Sequence, residues 1–338
     1  MYKKPFLVAE ISSNHCGDFN LCKDLILNAK KCGANAVKIQ TYTPKCMTIN
    51  SKKKHFIINS GLWKGYNYWD LYKKAHTPIS WHKNLFYFAK KNNIKLFSSP
   101  FSNYAIDILE KLDCPLYKVA SFEITDLSLI KEIAQTGKDI IISTGCSNIR
   151  EISEAYNTAY KYGSKKITLL YCVSLYPAQK KDFNLYNLSL LQKEFKCDVG
   201  LSDHSKDIEV AKAAYLLGAS LFEKHFALNK QPDSPDIKFS LNENEFKYFR
   251  KSLLETKLLI GSQNFNENIK DSKNKKFRRS IFAIRNIKKG EKFTRLNTRV
   301  LRPNVGLEPK FYDLILNKKS QFNFEKGDAI PKKIIKKL

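Results

Sequence analysis

Two short segments carry the most chemistry in this chain. Gly200–Leu201–Ser202–Asp203–His204–Ser205 and Phe222–Glu223–Lys224–His225–Phe226 both contain apolar residues and run into groups that bind or transfer charge. Each reads as a buried strand that delivers a histidine at its end. Two neutral imidazoles from neighbouring strand ends can share one divalent metal, which then polarises a carbonyl. A lone histidine in such a place is more often a core residue with satisfied hydrogen bonds. Two of them in consecutive strand–helix units point instead to a ligand pair.

The pattern recurs upstream. Glu10 closes the first apolar run, with Asn14 and His15 just beyond; Lys38, Gln40 and Tyr42 end the second; Ser98 and Ser99 end the third. Lys118, Ser121 and Glu123 follow on the fourth, Ser143–Thr144–Gly145 on the fifth, and Ser174 and Tyr176 beyond the sixth. Ionisable groups in apolar strands are costly unless paired or liganded, so polar ends on all the runs indicate a site. Lys38 and Lys118, with several hydroxyls, suit a phosphate and a carboxylate. The competing reading is a buried Lys–Glu pair with Glu10 or Glu123 as partner. Both glutamates can also give or take a proton where the site raises a pKa. His15 is ambiguous between site and loop, whereas surface or packing roles suit His55, His76 and His82.

What must position these groups is an alternation of elements. The apolar runs are Phe6–Ile11, Ala36–Tyr42, Lys95–Ser99, Leu116–Ala120, Asp139–Ser143, Lys166–Cys172, Asp198–Leu201 and Leu221–Lys224, each followed by an amphipathic helical stretch. Near-continuous apolar strands predict a parallel sheet covered on both faces. Repeated strand–helix units of this kind predict a closed (β/α)8 TIM barrel over residues 1–261. No G-x-G-x-x-G follows the first strand, which argues against an open dinucleotide-binding sheet. Asp126 and Asn148 should cap helix starts, and Gly33, Gly163 and Gly218 should end helices. The insertion before about Ala75 contains Phe56, Trp63, Tyr66, Tyr68, Trp69 and Tyr72. It reads as a lid whose aromatic faces stack on a sugar and exclude water, with Asn59 or Asn67 as a candidate sugar contact. Residues 262–276 read as a polar linker. Residues 277–338 form a small module that is only marginally stable alone, so it should dock on the barrel or on a partner subunit.

Composition narrows the function. The 338 residues are 43% hydrophobic and fit one large domain and one small one. No apolar run is long enough to span a membrane, and the N-terminus lacks a signal-peptide pattern, so a cytoplasmic protein is expected. The eight cysteines are scattered without a C-x-x-C pair, which disfavours a zinc cluster or a disulfide framework. The net charge of +27 comes from 59 basic residues, mostly lysines spread along the chain. Part of it fits the Lys/Asn/Ile excess of an AT-rich coding sequence. Spread charge of this kind is usually a solvated surface that attracts small anions. A basic nucleic-acid-binding protein is the rival reading, and the strand-end pattern does not call for it.

Ala9–Glu10–Ile11, Lys38–Ile39–Gln40–Thr41–Tyr42, Ser98–Ser99–Pro100–Phe101 and Tyr117–Lys118–Val119–Ala120–Ser121 resemble the sialic acid synthases. So do Ser143–Thr144–Gly145, Gly200–Leu201–Ser202–Asp203–His204 and Glu223–Lys224–His225–Phe226. The resemblance covers nearly the whole chain, in order, and the tail from about Phe277 is similar to the antifreeze-like (SAF) domain of these enzymes. Within the family the pseudaminic acid branch is the nearer match. Gly61–Leu62–Trp63, Ala75–His76–Thr77–Pro78, Ser121–Phe122–Glu123 and Arg302–Pro303–Asn304–Val305–Gly306–Leu307–Glu308–Pro309 carry that likeness. The N-acetylneuraminate branch usually has Gly where Phe122 stands and Asn where Ser174 stands.

The resemblance implies a transferase that condenses phosphoenolpyruvate with 2,4-diacetamido-2,4,6-trideoxy-β-L-altropyranose and water, giving pseudaminic acid and phosphate. The within-family alternative is an N-acetylneuraminate or legionaminate synthase acting on another N-acetylated sugar. It implies a Mn²⁺-like ion, with Mg²⁺ or Co²⁺ as alternatives, on His204 and His225. Phosphoenolpyruvate would lie on Lys38, Ser99, Lys118, Ser121, Ser143 and Ser202, and the sugar on Ser174, Tyr176, Asp236 and Arg302. Glu10 and Glu123 would transfer protons or position the water, without separate assignment. Arg302 would reach into the other subunit's site in a homodimer with swapped SAF domains.

Overall fold

The eight apolar runs become eight parallel strands: β1 Phe6–Glu10, β2 Ala36–Thr41, β3 Lys95–Pro100, β4 Leu116–Val119, β5 Asp139–Ser143, β6 Ile167–Cys172, β7 Asp198–Asp203 and β8 Leu221–His225. Each pairs with the next, and β1 closes on β8 with Glu10 opposite His225, so the sheet is a complete barrel. The computed structural model describes residues 3–261 and 269–337. They divide into two units, Met1–Ser262 and Gln263–Leu338.

Local chemistry fixes the helix boundaries. Asp18 caps the helix Phe19–Lys31 by accepting from the Asn20 and Leu21 amides. Asn148 and Glu151 form a reciprocal capping box at the start of Ile149–Lys161, and Asp126 caps Leu127–Gln135. The apolar helix faces bury against the outside of the barrel: Phe222 packs edge-on against Phe249, and Phe226 against Phe246. Burying a phenylalanine side chain stabilises the fold by roughly 2 kcal/mol. Gly200 serves a different end. A Cβ there would come within 2.2 Å of the Leu221 carbonyl oxygen and 2.6 Å of the Leu170 side chain, so the bare backbone lets β7 and β8 meet.

Two elements depart from expectation. The last two strands run beyond the apolar residues to Asp203 and His225, because Ser202 pairs with Glu223 and Asp203 with Lys224 in the ladder. Polar residues extend the strands since their partners are polar too. The linker reading over 262–276 falls partly on residues outside those described; its later part is helical, over Ile269–Ser272 and Lys273–Phe277.

The second unit has its own core of Ile281, Ile287, Phe293, Leu307, Ile315, Ile330 and Ile334. Its strands β9 Ser280–Ala283 and β10 Thr298–Leu301 pair antiparallel.

Asp203 and Lys224, expected at the mouth with the histidines, face the other way. Strand alternation turns them out of the barrel, where Lys224 Nζ lies 2.7 Å from Asp203 Oδ2 and both side chains are 1% exposed. Lys224 also donates to the Ser205 carbonyl, and Asp203 accepts from the Ser205 amide. This pair ties the two histidine-bearing strand ends together from behind. Lys224→Met, which strands a buried carboxylate, should lower unfolding free energy by about 3–5 kcal/mol. Denaturant titration should show most of that loss recovered in Lys224→Met with Asp203→Leu. A single variant as stable as the parent would remove the clamp from consideration.

Candidate active site

The inward-facing residues at the C-terminal ends of the strands, with their loops, enclose a cavity of about 450 Å³. Lys38, Lys118, Ser121, Glu123, Ser143, Tyr176, Ser202, His204, His225 and Asp236 all line it. Its centre is ionic. Lys38 Nζ lies 2.5 Å from Glu10 Oε2 and 3.4 Å from Glu223 Oε1, with all three side chains buried. Glu223 also accepts from Ser202 Oγ at 3.2 Å. Burial alone would strip the proton from Lys38, but the two carboxylates outweigh it and raise its pKa. They cannot both stay charged as easily. Burial lifts Glu10 to about 7, whereas Lys118 and Lys38 outweigh burial at Glu223 and hold it well below the usual carboxylate range.

The competing sequence reading, a buried Lys–Glu pair, therefore holds for Lys38 and Glu10, with Glu223 as a further partner. Glu10 is 1% exposed and does not line the cavity; its other oxygen accepts from the Ser12 amide at 2.7 Å. Glu123 is the glutamate of the original pair that does reach the cavity, and burial raises it to about 7 despite Lys118. Lys118 is 2% exposed, and burial lowers its pKa even though Glu223 opposes the shift.

Ser99 and Ser174 stand behind the wall. Ser99 accepts from Lys38 Nζ at 3.4 Å and so supports the lysine. Ser174 Oγ sits 2.2 Å from where a Cβ on Gly145 would be, so that glycine makes room for it. Ser121 Oγ accepts from the Gly145 amide at 3.2 Å.

The histidine pair does come together, with ring centroids 5.5 Å apart. His204 Nδ1 donates to the Val173 carbonyl at 3.1 Å, and Cys172 with that carbonyl raises the His204 pKa against burial, so Nε2 offers a lone pair once the ring sheds its second proton. His225 Nδ1 is buried without a hydrogen-bond partner, 4.0 Å from Asp236 Oδ2. Burial and the neighbouring His204 push the His225 pKa far down, which favours a neutral ligand. Among the described residues no cluster of three or more His, Cys, Asp or Glu is arranged to hold an ion. Two imidazoles alone are an incomplete donor set, so a divalent ion on His204 and His225 would need bound molecules to complete its shell.

Among the described residues, four buried polar atoms of the cavity lining have no hydrogen-bond partner: Glu123 Oε2, Ser143 Oγ, Glu223 Oε2 and His225 Nδ1. Orphaned groups of this kind are rare in a native interior and call for a partner from outside the protein, water or ligand.

The insertion covers this mouth. Met47, Ile58, Trp63, Tyr68, Leu71 and Tyr72 line the cavity, and Trp63 Nε1 donates to the Pro235 carbonyl at 3.2 Å. Asn67 is not a sugar contact, since its side chain caps the helix Tyr68–Ala75 and donates to the Ser51 carbonyl. Asn59 is exposed and off the cavity. His15 and His82 are structural: His15 bonds Gly17 and Thr77, and His82 bonds Thr41 and Pro78. Arg302 belongs to the second unit, where it lines an exposed basic depression with Lys275, Arg278, Arg279 and Lys310. Glu223 and Ser13 were without an assigned role in the sequence reading. The alternation Glu223–Lys224–His225 is the signal that puts Glu223 on the ligand's side of the strand. Nothing local marks Ser13, whose amide and hydroxyl both donate to Asp236 Oδ2 at 3.1 and 2.7 Å.

The NeuB family model matches residues 25–265, and the SAF domain model matches residues 278–335. A pseudaminic acid synthase of Helicobacter pylori is 45% identical over 321 residues, covering 95% of this chain and 94% of its own. A pseudaminic acid synthase of Campylobacter jejuni is 40% identical over 97% of this chain and 96% of its own. The crystal structure of an N-acetylneuraminic acid synthetase from Leptospira borgpetersenii superposes with a TM-score of 0.71 at 27% identity, over 81% of this chain and 90% of that one. The two family models together with relatives matched along almost the entire length show that the chain belongs to the NeuB family.

Proposed function

We infer that the chain condenses phosphoenolpyruvate with 2,4-diacetamido-2,4,6-trideoxy-β-L-altropyranose and water, releasing pseudaminic acid and phosphate. The observation that carries this reading is the meeting of two buried lysines and two imidazoles on a cavity with four partnerless polar atoms. The identity to two pseudaminic acid synthases supports the branch.

Lys38 and Lys118, with Ser121, Ser143 and Ser202, cradle the phosphate and carboxylate of phosphoenolpyruvate, while Ser99 steadies Lys38. Tyr176 and Asp236 hold the sugar. Ser174, behind Gly145, supports that wall. A divalent ion, Mn²⁺ in this reading with Mg²⁺ or Co²⁺ as alternatives, would be held by His204 and His225 and supplies Lewis-acid polarisation of the aldehyde. The methylene carbon of phosphoenolpyruvate forms a bond to the aldehyde carbon, and the aldehyde oxygen takes a proton from Glu123. Water adds to the resulting cationic carbon and returns a proton to Glu123; the C–O bond to phosphate then breaks as the new hydroxyl closes to the ketone, its proton leaving with the phosphate. Glu10 serves by holding Lys38 in place. Arg302 reaches the sugar in the partner subunit's site of a homodimer with exchanged SAF domains, offering fixed donors to an N-acetyl carbonyl.

Three measurements test this. Purified protein assayed with phosphoenolpyruvate and a panel of N-acetylated aldoses should turn over the diacetamido altrose fastest, with product identified by mass spectrometry. Faster use of N-acetylmannosamine would move the chain to another branch. His204→Ala should abolish activity while keeping the fold, as should a chelator. Mixing it with Arg302→Ala should restore activity, because one barrel of the mixed dimer then has both groups; no restoration speaks against the exchange. For Glu123 as donor, the protonated form is active, so kcat/KM should fall as pH rises through about 7. Glu123→Gln should lack that limb, and a limb that survives the change belongs to another group.

A further inference from the structure

We propose that Ser12 is a specificity-determining contact to the acceptor sugar. Its backbone has φ +34°, a region that residues with a Cβ rarely occupy and that glycine takes freely. A serine kept in such a conformation calls for a use of its side chain. Ser12 is buried yet lines the cavity, and its hydroxyl makes no hydrogen bond among the described residues. Its amide donates to Glu10 Oε1, but any residue at this position would supply that N–H. The amide accounts for the turn and leaves the hydroxyl unexplained.

The surroundings say what the hydroxyl meets. Ser13 holds Asp236 by two hydrogen bonds, and Asn14 donates to the Phe226 carbonyl and to Ser240 Oγ, both at 2.8 Å. The turn is therefore clamped to the loop after β8 on one side and to the Lys38–Glu10 pair on the other. Ser12 thus lies between Glu10, which holds Lys38 of the anion cradle, and Ser13, which holds the carboxylate read as a sugar contact. A hydroxyl or acetamido group near the aldehyde end of an N-acetylated aldose is the chemistry that position recognises. The inference rests on the sugar-condensing function proposed above.

The test compares Ser12→Gly, which removes the hydroxyl and relaxes the backbone, with Ser12→Ala, which removes the hydroxyl alone. Both should raise KM for the sugar about five- to tenfold, the loss of one hydrogen bond, with KM for phosphoenolpyruvate unchanged. Ser12→Gly should be at least as heat-stable as the parent, so it decides the matter even where Ser12→Ala folds poorly. An unchanged sugar KM in Ser12→Gly, or an equal rise for both substrates, would overturn the proposal. The aldose panel is run first on the parent, and Ser12 is then read on whichever aldose it uses fastest. Failure of the branch reading and failure of the Ser12 contact thus give different results.

Discussion

A lysine ammonium buried between two carboxylates is the constraint on which this barrel's interior depends. Lys38 holds its proton in a dry setting because Glu10 and Glu223 stand beside it. The pairing gains little net stability, since dehydrating such ions costs about as much as their attraction returns. What it fixes is a set of charge states. One carboxylate is driven down and the other up, and a second lysine, Lys118, is left with a depressed pKa. The polar groups of the cavity are thus held in place before any ligand arrives, so little reorganisation is needed on binding.

The histidine pair obeys the same economy of position. The cavity face of β7 and β8 carries Ser202, His204, Glu223 and His225, and the opposite face carries the Asp203–Lys224 pair. Strand alternation thus places the reactive groups and their brace one residue apart in the chain. The brace is apolar in its surroundings, with Lys224 lying against the Phe249 ring. Such a low-dielectric setting makes a paired charge rigid and an unpaired one intolerable.

Much of this was legible in the residues. Eight runs with near-continuous apolar character specify a covered parallel sheet, and their polar ends mark the mouth of the barrel. Caps at Asp126 and Asn148 were readable because a short acceptor side chain at a helix start has one main use. The lid was readable from its aromatic density. What escaped were relations set by facing direction and by long-range contact. Asp203 and Lys224 looked like site residues because they abut histidines, yet period-two geometry sends them outward. Glu10 could be read as a proton carrier or as a buried lysine's partner, and the contacts from residues 38 and 12 that separate the two have no local signal. Ser13 carries no local signal, since its partner Asp236 lies 223 residues away.

Gly200 has a wider consequence. It bears no functional group and touches no ligand, but its missing side chain sets how near the last two strands lie. Any larger residue there would wedge the sheet apart and change the reach from one imidazole to the other. A catalogue of reactive atoms would pass over such a position, and a natural variant altered only there could spoil the spacing of the two rings while keeping both histidines intact.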